Sequence, residues 1–232
     1  MPLPKSALAL TASMALAALA AVGYALNNMQ PLRDYRFPVL LVLTLVTARL
    51  KVKLPGLTGN MSVNLPFVLI AATQLSLLEA LLVALPACAL QSLPKGGGKP
   101  KPVQMIFNLS ATGVAVALAS LIGTRFALLG AVAFFLAQTV PVASIIRLTE
   151  GGALHRIWCS IAHYSFPFYV LSAGLTSIAI SSTTQFAWQV PLLGIPVLYA
   201  IYRSYDSYFQ MPATLIGGNL RRLDSNNEAV NA

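Results

Sequence analysis

Charge is scarce in this chain. Only 9% of its residues are Asp, Glu, Lys or Arg, against roughly 25% in soluble domains. Acidic residues are the scarcer sign, with six against fifteen basic ones. There are two cysteines, Cys88 and Cys159, with no CxxC spacing. That excludes a disulfide framework and a cysteine zinc site. Histidine is limited to His155 and His163, and aspartate to Asp34, Asp206 and Asp224. No Ser-His-Asp, paired-carboxylate or metal-ligand pattern forms from so few residues. An enzyme would need a nucleophile, a base or a metal. The expectation is a non-enzyme with no catalytic residue, no metal and no cofactor.

Hydrophobicity fills the space that charge leaves. The chain is 57% hydrophobic, with a mean hydropathy of +0.74. Its net charge of +9 would suit nucleic acid, but the basic residues are scattered between apolar runs and form no patch. Membrane proteins concentrate Lys and Arg in cytoplasmic loops. The expected partner is therefore the lipid bilayer and not nucleic acid. Lys5 and the Ala-rich run to Leu26 look like a signal peptide, with Gly23-Tyr24-Ala25 as a possible cleavage site. The run is about 20 residues long, enough to span a bilayer, and more apolar runs follow. It is read as an uncleaved first helix.

Eight apolar segments follow in order: 6–26, 38–50, 63–75, 77–93, 103–122, 127–147, 157–181 and 187–204. They predict an all-α, polytopic membrane bundle over residues 1–204 and a short polar cytoplasmic tail over 205–232. The second and third segments are short. They read as tilted or partial spans packed inside the bundle. Pro66 opens the third, where a missing amide costs nothing. Pro141 and Pro167 fall in later spans and are candidate kinks.

The third and fourth segments form one apolar stretch of some thirty residues, longer than the roughly 20 that one straight span needs. Ser76-Leu77-Leu78-Glu79 marks the break. It is a capping box: the serine caps a helix start, and the glutamate reaches back to the serine's amide. A helix should end near Gln74 and another begin near Leu77.

Charge supports that break. With eight spans, one side holds Lys5, Arg49, Lys51, Lys53, Lys95, Lys99, Lys101, Arg147, Arg156, Arg203, Arg221 and Arg222. The other holds Arg33, Arg36 and Arg125. The split is 12 to 3, so the positive-inside rule puts both termini in the cytoplasm. Fusing the third and fourth segments would send their basic flanks to opposite sides.

Glu79 is the acidic residue closest to the membrane core. An intramembrane carboxylate is a functional candidate, and capping is its structural alternative. Asn64, Gln74, Gln104 and Asn108 are further candidate ligand contacts. Such residues either line a pocket between helices or hold the bundle together by interhelical hydrogen bonds. Gln104 and Asn108 are four apart and share a helical face. His163 inside the seventh segment has no acidic partner in its own span. The run Pro94–Pro100 lacks the spacing of a phosphate loop and reads as a lysine-bearing turn near anionic headgroups.

Two stretches carry a family resemblance. The first is LKVKLPGLTGNMSVNLPFVLIAATQLSLLEALLVALPACALQ with QMIFNLSATGVAVALASLI. The second is FFLAQTVPVASIIRLTEGGALHRIWCSIAHYSFPFYVL with PVLYAIYRSYDSYFQ. Both resemble the multi-pass membrane module that precedes HD-GYP, and sometimes GGDEF, domains in bacterial cyclic di-GMP signalling proteins. The resemblance covers about Phe37 to Gln210. It implies a helical module in the bacterial inner membrane and a cytoplasmic signalling partner. No HD, GYP or GGDEF motif occurs in this sequence, so it does not imply that family's enzymatic activity. Residues Pro55 to Leu93 more loosely resemble the substrate-binding subunits of energy-coupling-factor vitamin transporters. The expectation is a sensory or scaffolding module. A solute-binding transport subunit, with its transport complex as partner, and a structural subunit without ligand are the alternatives.

Overall fold

A computed structural model describes residues 4–29, 34–49, 51–53, 60–62, 64–93, 101–123 and 127–181. The eighth apolar segment, the polar tail and the 94–100 turn lie outside the described residues. Those described form seven helices and one short ribbon: α1 (Lys5–Asn27), α2 (Arg36–Ala48), β1 (Lys51–Lys53), β2 (Asn60–Ser62), α3 (Leu65–Gln74), α4 (Leu77–Ser92), α5 (Pro102–Gly123), α6 (Ala127–Glu150) and α7 (Leu154–Ser181). Each helix falls within three residues of the segment its sequence predicts.

α1, α5 and most of α6 are long and apolar enough to cross a membrane, as a membrane protein requires. α2, α3 and α4 are apolar but shorter. The bundle is helical, as its composition predicts. The connection between α2 and α3 adds what the all-α reading left out, an antiparallel ribbon pairing Lys51 with Ser62, Val52 with Met61 and Lys53 with Asn60. In the sequence, the Pro-Gly-rich stretch between the strands is turn-forming.

α3 is the centre. Leu65 through Ala72 are all buried, including Pro66, and the helix packs against α2, α4, α5, α6 and α7. At ten residues it is about 15 Å long, half the hydrocarbon thickness of a bilayer. A partial element inside the bundle is what the sequence predicts for this segment. α2 differs from that expectation. Val42 and Val46 are exposed, so it packs one face inward and turns the other outward. Its period-3.6 apolar residues supply both faces, and only packing partners decide which is covered.

Contacts between helices fix their directions. Asn108 in α5 donates to Ser92 in α4, and Thr112 donates to the Cys88 sulfur. These pairs run antiparallel, so the start of α4 lies beside the Gly123 end of α5. The end of α3 lies there too, since a Cβ on Gly123 would come within 2.7 Å of Thr73 Cγ2. α6 returns from the same end: a Cβ on Gly130 would meet Gly123 Cα at 2.7 Å. α6 ends at Gly151 (φ +82°) and Gly152 (φ +97°), and the Gly151 amide donates to the Arg147 carbonyl. Glycine occupies this left-handed cap without a Cβ clash. Pro141 and Pro167 lie inside α6 and α7, and Pro86 lies inside α4.

Candidate site at the elbow between α3 and α4

α3 stops at Gln74 because Leu75 is extended (φ −103°, ψ 167°). Ser76 is also extended and caps α4. Glu79 N–H donates to Ser76 Oγ at 3.4 Å. Glu79 Oε2 accepts from the Ser76 amide at 3.0 Å and from its hydroxyl at 2.7 Å. This is the reciprocal capping box that the sequence predicts.

The box uses only half of the carboxylate. Glu79 is 5% exposed, and its Oε1 has no hydrogen-bond partner among the described residues. A buried polar atom left unpaired costs about 1–3 kcal/mol, and more when charged. Two residues before the cap, Gln74 Oε1 accepts from Arg36 Nη1 at 2.8 Å. That bond ties the start of α2 to the elbow. Arg36 Nε also lies 3.9 Å from Asp34 Oδ1.

The break exposes backbone acceptors as well. The Ser76 amide is turned to Glu79 instead of continuing the helix, so the last turn of α3 loses its partners. Among the described residues, no hydrogen bond reaches the carbonyls of Thr73 and Gln74. The elbow therefore brings together, at one end of the bundle, one unpaired carboxylate oxygen, free carbonyls at the end of α3 and, among the described residues, the unpaired amides of Leu77 and Leu78 at the start of α4.

The five candidate ligand contacts do not form one site. Gln74 and Glu79 share the elbow. Asn64 is buried at the opposite end of α3, where its side chain makes no cap. Gln104 is exposed near the start of α5, and Asn108 is committed to Ser92 at 3.4 Å. Helical periodicity relates Gln104 to Asn108, but carries no information on what a neighbouring helix places beside either of them.

Arg36 is the residue that sequence reasoning passed over. It counted only as a loop charge, and its signal was its place directly before an apolar run. A second polar chain crosses the bundle midway. Gln138 Nε2 donates to Thr112 Oγ1 at 3.4 Å, and Thr112 in turn donates to Cys88. Trp158 Nε1 donates to Thr139 at 3.1 Å. Most other buried hydroxyls, such as Thr44, Ser165, Ser172 and Thr176, donate to a carbonyl four residues back. These groups satisfy themselves within their own helices.

No known protein family, curated protein or solved structure matches this chain.

Proposed function

We propose that this protein is a multi-pass sensory module of a bacterial inner membrane, with the elbow as its sensing element. The Gly123 end of α5 faces away from the cytoplasm, and the Lys101 end faces into it. A stimulus at the elbow shifts α3. α3 touches α7, and α7 carries the change towards the C-terminal chain and a cytoplasmic signalling partner. A stimulus can act this way only by binding two arrangements of the bundle unequally. The observation that carries the reading is the unpaired Glu79 oxygen at a break in the central helix. Breaks of this kind and buried carboxylates mark functional sites in membrane bundles.

Purification in mild detergent, followed by mass spectrometry, tests the proposal. The expected result is a cytoplasmic signalling protein whose recovery changes with Glu79→Gln. Recovery of an ATPase-bearing transport complex would replace it with the solute-binding reading, which the discontinuous α3–α4 pair also favours. A constitutive complex that ignores Glu79 would leave a structural subunit.

A further inference from the structure

The geometry points to a ligand for this elbow: one monovalent metal cation, with sodium as the probe, held by Glu79 Oε1 and the free carbonyls at the end of α3. This deepens the sensory reading and rests on it only for what binding accomplishes.

The unpaired groups at the break are of both kinds: Glu79 Oε1 and the carbonyls of Thr73 and Gln74 are acceptors, and the amides of Leu77 and Leu78 in the first turn of α4 donate to nothing among the described residues. Glu79 Oε1 is enclosed and unpartnered, and the carbonyls of Thr73 and Gln74 receive no hydrogen bond among the described residues. A donor-rich ligand or a cation satisfies the enclosed Glu79 oxygen and the carbonyls, whereas an anion would meet only the two amides. Hard oxygen donors suit alkali and alkaline-earth ions. Half-helix C-terminal ends and unwound carbonyls hold such ions in membrane bundles.

The field at the elbow favours a positive ion. The C-terminal end of α3 carries partial negative charge and the N-terminal end of α4 partial positive charge. Their juxtaposition largely cancels, which leaves the carboxylate to set the sign. Arg36 does not neutralise it. Its Nη1 is bound to Gln74, its nearby acid is Asp34, and Glu79 has no ion-pair partner among the described residues. One carboxylate matches one positive charge. Among the described residues, no group of three His, Cys, Asp or Glu side chains gathers.

The test uses the purified full chain in detergent, unfolded by heat in sodium chloride or in choline chloride at equal ionic strength. Sodium should raise the midpoint along a saturating curve, and choline should leave it flat. Glu79→Gln keeps the cap and should lose the sodium shift. Ser76→Ala should lower the midpoint in both salts yet keep the shift. Equal responses to the two salts, a non-saturating rise, or a shift that survives Glu79→Gln would overturn the cation site. If Glu79→Gln fails to fold, the wild-type comparison of saturation against choline decides alone. Absence of a sodium shift while Glu79→Gln still alters partner recovery removes the cation and leaves the sensory reading. A sodium shift without any effect on partner recovery does the reverse.

Discussion

Glu79 has two roles that pull apart. Oε2 belongs to the cap, and Oε1 has no hydrogen-bond partner among the described residues. Substitution separates them. Ser76→Ala removes the hydroxyl that accepts from the Glu79 amide, so it should destabilise the protein by about 0.5–2 kcal/mol. Glu79→Gln should cost less, because glutamine completes the same box. Denaturant or thermal midpoints of the two variants check the order, and a larger loss in Glu79→Gln would contradict it. The cap was legible in the sequence because it is a local pattern, three residues from serine to glutamate. The Arg36–Gln74 bond was not, since its partners are 38 positions apart and no helical period relates them. Arg36→Gln should loosen α2 from the elbow. Amide exchange in the first turn of α2 and around Gln74 should rise, and exchange in α6 should not.

At the scale of elements, the helices were legible because apolar length and turn residues are recorded along the chain. The ribbon between α2 and α3 was not, because three-residue strands are too short to show alternation. Close approach between helices was equally hidden. Gly123 and Gly130 look like any other helical glycines in sequence, yet they seal the α5–α6 contact. A Cβ on Gly130 would meet Gly123 Cα at 2.7 Å and the Ala119 carbonyl oxygen at 3.0 Å. These are backbone atoms, so α6 itself must move. Gly130→Ala should therefore destabilise by about 1–3 kcal/mol. Among the described residues, Gly174 in α7 has nothing within 4 Å of the same position. Gly174→Ala should instead be neutral or stabilising by up to about 1 kcal/mol, through lower backbone entropy in the unfolded chain. Opposite signs for two glycine-to-alanine changes, measured by thermal unfolding in one detergent, would distinguish tight packing from helix propensity. Equal signs would refute the packing argument.

For the whole molecule, the property to test is orientation. Alternating helix directions place the α6–α7 turn at the Lys101 end of the bundle. Arg147, His155 and Arg156 gather near that turn and are exposed. The proposed topology, which rests on the 12-to-3 charge split expected for eight spans, has this end in the cytoplasm together with both termini. The chain carries its own probe of this arrangement. Cys159 is exposed, five residues into α7, and Cys88 is buried between α4 and α5. A membrane-impermeant maleimide should label Cys159 in inverted membrane vesicles and not in intact cells stripped of their outer layers. Cys88 should remain unlabelled in both until the protein is denatured. Cys159→Ser then identifies the labelled site, and reporter fusions at residues 1 and 232 extend the test to the ends. Labelling of Cys159 from the outside would invert the bundle and place the elbow in the cytoplasm. Opposite reports from the two termini would make the span count odd, a result that the charge asymmetry argues against.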